Sequence, residues 1–163
     1  MTANIIDGKA IASAIRAEIA QSVKNMVEKG IQPPGLAVIL VGDDPASLIY
    51  VRNKKNDCVK VGFFAEEHIL PAMTPEEEIK KLILRLNQDP KIHGILLQLP
   101  LPSGMNEKTM LELISPEKDV DCFHPVNVGA GNLIKQDGIR QTVSHSRDEY
   151  TFVTIKHRAR PGD

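Results

Sequence analysis

Six apolar residues, Leu36-Ala37-Val38-Ile39-Leu40-Val41, run straight into Gly42-Asp43-Asp44-Pro45. A short run rich in β-branched residues reads as a buried strand, and a strand buried on both faces needs helices on each side of its sheet. Asp44 supplies a side-chain cap and Pro45 fits the first helical position, where its missing N–H costs nothing. Gly62 suits a helix stop. The stretch therefore predicts strand, tight turn and helix, with Asp44–Val61 largely helical. On that helix Ser47, Tyr50 and Lys54 are spaced by three and four and share one face. A hydroxyl, a phenol and an amine thus gather near the carboxyl end of a strand, where open α/β sheets bind ligands. The plainer alternative is a solvated helix face with a snorkelling lysine.

The flanking chain repeats the pattern. Ile11, Ala14, Ile15, Ile19, Val23 and Val27 recur at helical spacing between Lys9 and Lys29, which predicts an amphipathic helix stopped by Gly30. Phe63–Leu70 reads as a second strand, more polar and nearer an edge. Thr74-Pro75-Glu76-Glu77 reads as a capping box. The helix it opens buries Ile79, Leu82, Ile83 and Leu86 and ends at Asp89-Pro90. Gly94–Leu97 is a third buried strand, with Gln98 at its carboxyl end, and Leu99-Pro100-Leu101-Pro102 cannot continue inside a sheet. Asn106 caps a short helix reaching Ile114. Alternating strands and helices predict a three-layer α/β domain with a parallel sheet and flanking helices. Residues 115–133 lack clear periodicity and crowd Pro116, Asp119, Asp121, His124, Pro125, Asn127, Gly129 and Gly131 together. Such constrained polar loops carry function as readily as they connect elements.

Composition narrows the classes. The chain has 163 residues, 25% of them charged, and a formal net charge of -1, so no basic excess points to nucleic acid. Its apolar runs are far too short to span a membrane, and the first residues lack the regions of a signal peptide. Cys58 and Cys122 form no CxxC pattern, and two isolated thiols suit a reducing, cytoplasmic setting. No metal is expected: His68, His93 and His124 lie far apart, and a lone Asp119-x-Asp121 is weak evidence for magnesium. No GxSxG, P-loop or GxGxxG is present.

Four side chains have chemistry suited to a strand-end site. A lysine packed among apolar groups acquires a lowered pKa and can act as a base near neutrality, as Lys54 would. Tyr50 can stack on a flat ligand. Gln98 offers both a donor and an acceptor, and Asp121 can accept two N–H groups from the edge of a heterocycle.

At these residues the sequence resembles a known family, the bifunctional methylenetetrahydrofolate dehydrogenase/methenyltetrahydrofolate cyclohydrolases. The resemblance rests on IIDGKAIA at 5–12, VGDDPASLIYVRNKK at 41–55, GILLQLPLP at 94–102 and PEKDVDCFHPVN at 116–127. It covers residues 1–133 in the right order and spacing. It implies a folate-side α/β domain, facing in the family a Rossmann domain that holds NADP, and a cytoplasmic homodimer serving one-carbon metabolism and purine biosynthesis. It implies catalytic roles for Lys54, Gln98 and Tyr50, with Tyr50 stacking on the substrate ring and Gln98 tuning the lysine. Asp121 would hold the pterin edge, and Ser47 would support the same substrate-binding motif. The implied reactions are NADP-dependent oxidation of 5,10-methylenetetrahydrofolate and hydrolysis of the 5,10-methenyl product to 10-formyltetrahydrofolate.

Two departures accompany the match. Cys122 stands where the family usually has glycine. The PCTP and GRSxxVGxP segments that lead into the NADP domain are missing from residues 134–163. The expectation is therefore a folate-binding catalytic domain over 1–133 and a divergent tail over 134–163, without a complete Rossmann NADP domain. A truncated, frameshifted or internally deleted gene would each give such a tail. The alternative to an enzyme is a catalytically inactive folate-binding or interaction fragment of the same family.

Overall fold

The structure is a computed structural model that describes residues 7–131. The tail assigned to 134–163 and the domain boundary at 133 lie outside the described residues.

The apolar run forms strand β1, Gly35–Val41, buried along its whole length. Strands β2, Phe64–Leu70, and β3, Gly94–Leu97, pair with it on either side, both parallel, in the order β2-β1-β3. The more polar second strand is thus an edge strand, as its composition predicts.

Because alternate residues of a strand face opposite ways, β1 feeds two cores. Leu36, Val38 and Leu40 join Val51 and Cys58 of helix α2, Pro45–Val61. Ala37, Ile39 and Val41 join Ile79, Ile83 and Leu86 of helix α3, Glu76–Gln88, and Met110 of helix α4, Glu107–Leu113. The chain crosses from β1 to β2 through α2, then back past β1 to β3 through α3. Crossovers of one hand that run in opposite directions put their helices on opposite faces. The three layers follow, and the carboxyl ends of β1 and β3 become the place where the connections diverge.

The caps of α2 are those its sequence predicts. The Asp44 carboxylate accepts from the Ser47 amide at 2.8 Å, and Gly62 closes the helix at φ 83. The Asn106 side chain accepts from the Thr109 amide and caps α4.

Three expectations are corrected. Thr74 does not cap α3: Pro75 is the N-cap residue, with ψ 140, and makes no side-chain cap bond. An extended Pro75 delays the helix by one residue, and Glu77, the acidic partner of such a box, accepts from Lys80 Nζ at 2.7 Å instead. Helix α1, Gly8–Glu28, forms where its periodicity predicts, but of its apolar positions only Val23 is buried, while Ile11, Ile15 and Val27 are exposed. It lies against α2, outside the sheet layers, and touches at Val23 beside Gly62. Residues 115–131, which lack periodicity and read as a constrained loop, are partly regular. They lay a parallel bridge from Asp119 to Ile95 along the outer edge of β3, then form helix α5, Pro125–Gly131.

Candidate functional site

Helix α2 buries one stripe, Ser47, Val51, Cys58 and Val61, and Lys54 falls on that stripe between Val51 and Cys58. The spacing of three and four residues carries the stripe down one side of the helix. A lysine at such a position must find a polar partner or lose charge. Lys54 Nζ donates to Gln98 Oε1 at 3.3 Å. Gln98 follows the end of β3, and its backbone amide donates to Ile39 O of β1 at 2.8 Å. Its side-chain Nε2 donates to Leu99 O at 2.8 Å, which leaves Oε1 turned to the lysine.

Asp121 arrives from the far side of β3. The bridge at Asp119 runs parallel to Ile95, so two residues on the chain draws level with the carboxyl end of the strand. Gly94 permits this close passage: a Cβ there would stand 2.5 Å from Val120 Cγ1. Lys54 and Asp121 then shape each other's charge. Burial lowers the pKa of Lys54, and the Asp121 carboxylate partly opposes that shift. Burial raises the pKa of Asp121, Lys54 draws it back down, and Asp119 raises it further.

The site thus joins Lys54, Gln98 and Asp121, three of the five residues singled out from sequence. Tyr50 lies one turn before Lys54 on α2 and is exposed, open to a ligand laid over the carboxyl ends of the strands. Ser47 is buried. Its amide and hydroxyl hold the Asp44 carboxyl below its usual pKa, so it serves the helix cap beneath the site. Sequence reasoning missed Asn127, whose side chain bonds Asp119 at 2.9 Å, and the left-handed conformation of Cys122, φ 57. The usual glycine at position 122 was the one signal for the latter.

Among the described residues no cluster of His, Cys, Asp and Glu is arranged to hold a metal ion, and no helix is long and apolar enough to cross a membrane. The starts of α2, α3 and α4 also do not fit NADP. A dinucleotide pyrophosphate needs a helix N-terminus with free amides and no competing carboxylate. Asp44 caps α2, Glu76, Glu77 and Glu78 fill the first turn of α3, and Glu107 opens α4.

Comparison with known proteins converges on one family. The tetrahydrofolate dehydrogenase/cyclohydrolase catalytic domain matches residues 6–121, more than half of the chain. The chain belongs to this family. It is 62% identical over 125 residues to the bifunctional protein FolD 2 of Geobacter metallireducens, covering 77% of this chain and 44% of that one. It is 55% identical over 137 residues to the bifunctional protein FolD of Moorella thermoacetica, covering 84% and 48%. Among solved structures, FolD from Campylobacter jejuni superposes with a TM-score of 0.76 at 43% identity, covering 81% of this chain and 46% of that one. The Trypanosoma brucei dehydrogenase-cyclohydrolase, complexed with NADP cofactor and inhibitor, gives 0.78 at 36% identity, covering 84% and 47%. The chain thus spans about half the length of the curated relatives it matches. The tetrahydrofolate dehydrogenase/cyclohydrolase motifs read from the sequence are the ones that build the site: 41–55 forms the turn and α2, 94–102 carries Gln98, and 116–127 carries Asp121.

Proposed function

We propose that this chain binds tetrahydrofolate derivatives carrying a one-carbon bridge, and that Lys54 moves protons in the hydrolysis of 5,10-methenyltetrahydrofolate to 10-formyltetrahydrofolate. One observation carries the reading: the Lys54 amine sits on a buried stripe, bonded to Gln98 at 3.3 Å and facing Asp121 across the diverging ends of β1 and β3.

The chemistry follows from the charges. The methenyl carbon is cationic and already electrophilic, so the protein has mainly to orient water and move protons. Water oxygen bonds to that carbon and Lys54 in its neutral form takes one of its protons. The bond from the carbon to N5 of the pterin then breaks: N5 takes up a proton, the remaining hydroxyl proton leaves so that the C–OH becomes the formyl C=O on N10, and one proton is released overall. Burial makes the neutral amine accessible at lower pH than for an ordinary lysine. Gln98 orients the amine, Tyr50 stacks on the flat ring, Asp121 accepts from the N–H edge of the pterin, and Ser47 supports the turn from which α2 starts.

The names of the relatives add the preceding oxidation. For the whole protein we propose NADP-dependent conversion of 5,10-methylenetetrahydrofolate to the 5,10-methenyl form, with NADP held outside the described residues. A cytoplasmic homodimer supplying formyl groups to purine biosynthesis fits this chemistry.

The test is replacement of Lys54 and a hydrolysis assay on 5,10-methenyltetrahydrofolate. Lys54→Met keeps the apolar stem and removes the base, so the rate should fall about 10²–10⁴-fold, the usual scale of general acid–base catalysis. Folate binding should change much less. Lys54→Arg should fail too, since guanidinium holds its proton. Gln98→Ala removes an acceptor that favours the charged amine, so the rising limb of the pH–rate profile should move to lower pH. A Lys54→Met protein that hydrolyses at the parent rate, or a parent chain that binds no folate, overturns the reading.

A further inference from the structure

Asp119 has no part in the chemistry just described, and its sequence context offers only a faint hint of magnesium. Its carboxylate is occupied by the chain itself. Oδ2 accepts from the His124 amide at 2.9 Å and from Asn127 Nδ2 at 2.9 Å. The same Asn127 nitrogen donates to Pro116 O at 2.8 Å, which ties the start of α5 back to the beginning of the segment. The loop that Asp119 closes contains Asp121 and Cys122.

That loop needs closing. Cys122 has φ 57, and a residue with a side chain in that region costs about 1–2 kcal/mol relative to a right-handed conformation. Asp121 directly precedes Cys122, so the course of the backbone at Cys122 goes with the direction in which Asp121 leaves the loop. The incoming side of the loop is anchored independently. Ile95 N donates to Lys118 O at 2.7 Å, and Lys118 Nζ donates to Leu86 O at 3.0 Å and Asp89 O at 2.8 Å at the end of α3. Val120 packs beside Gly94. The outgoing side is held by the Asp119 carboxylate.

We propose that Asp119 is a positioning residue: by closing the loop through His124 and Asn127 it keeps Cys122 left-handed and holds the Asp121 carboxylate facing Lys54, and it thereby sets the affinity for folate. The link to folate rests on the reading of Asp121 as the group that holds the pterin. The link to Lys54 does not, and the two are tested separately.

The first measurement uses the ligand-free 163-residue chain. The Lys54 side chain is followed through its titration by NMR in the parent and in Asp121→Asn, Asp119→Ala and Asp119→Asn. Asp121→Asn removes the charge that opposes the burial shift, so Lys54 should titrate at lower pH. Asp119→Ala should reproduce that movement, because Asp121 swings away. Asp119→Asn keeps an oxygen able to accept from His124 and Asn127 and should stay close to the parent. If Asp119→Ala leaves Lys54 at the parent position while Asp121→Asn moves it, the proposal is overturned. If Asp119→Asn moves Lys54 as far as Asp119→Ala, charge alone is at work and positioning is wrong.

The second measurement is calorimetric titration with 5-formyltetrahydrofolate. Asp119→Ala should weaken binding about tenfold or more, the scale of one or two lost hydrogen bonds, and Asp119→Asn should largely restore it. Equal binding by parent and Asp119→Ala overturns the proposal. A parent that takes up no folate defeats the folate reading instead, and the lysine titration still decides the role of Asp119. Should Asp119→Ala fail to fold, the conservative Asp119→Asn carries the test: affinity lost in that variant speaks against positioning.

Discussion

At the scale of single residues, Lys54 and Asp121 share a conflict. Each is ionisable and each is drawn out of water, so burial opposes the charge of both while each favours the charge of the other. The net shifts differ in their bearing on stability. Lys54 has a folded pKa below its ordinary 10.5, so between that folded value and 10.5 the unfolded chain binds the extra proton and stability rises with pH. Asp121 has a folded pKa above its ordinary 3.8, so between 3.8 and that folded value the folded chain binds the extra proton and stability falls as pH rises. Asp121→Asn removes the second dependence. Its urea midpoint relative to the parent should therefore climb as pH is raised from 3.8, and the gap should become constant once Asp121 is ionised in the parent. A gap that stays the same at every pH would show that Asp121 titrates as it does in the unfolded chain.

Helix α2 is the element on which the site depends. Its N-terminus is fixed by Asp44 and Ser47, its buried stripe seats Lys54, and its C-terminus is turned by Gly62 against Val23 of α1. Gly62 has φ 83, and a Cβ there would stand 3.2 Å from Val23 Cγ1. Gly62→Ala should therefore cost about 1–2 kcal/mol from backbone strain alone, read as a lower urea midpoint with an unchanged slope. An unchanged midpoint would mean that the helix end adjusts without α1. The same element logic explains the failure of the capping box at Thr74. The motif is a local pattern that needs Thr74 in the cap position, but Pro75 takes that position, and Glu77, the acidic partner such a box would use, accepts from Lys80 at 2.7 Å.

Across the whole molecule, helices α2, α3 and α4 all start at carboxylates, and this separates the folate reading from nucleotide binding at those helix starts. NADP added to the isotopically labelled chain should leave the amide resonances of Gly42, Ser47, Thr74 and Ile79 in place, because a pyrophosphate meets carboxylates at those helix starts. Movement at those amides would refute the assignment of NADP to other residues. The elements themselves were legible in the sequence because their signals are local. An apolar run with caps and glycine stops predicts β1, α2 and α4 to within about a residue or two of their ends, and alternation predicts the parallel sheet. The motifs also pointed to Tyr50, Lys54, Gln98 and Asp121 as site residues. What they could not supply was convergence. Whether the amine of Lys54 meets Gln98 depends on which face of the sheet α2 covers, and that is decided by the order β2-β1-β3 and by the two crossovers running in opposite directions. The exposure of Ile11, Ile15 and Val27 was equally hidden, since periodicity shows that a helix has an apolar side but not what lies opposite it. The bridge of Asp119 to Ile95 and the loop closed through His124 and Asn127 join groups that no spacing rule connects, so only the packed chain determined how Asp121 is held.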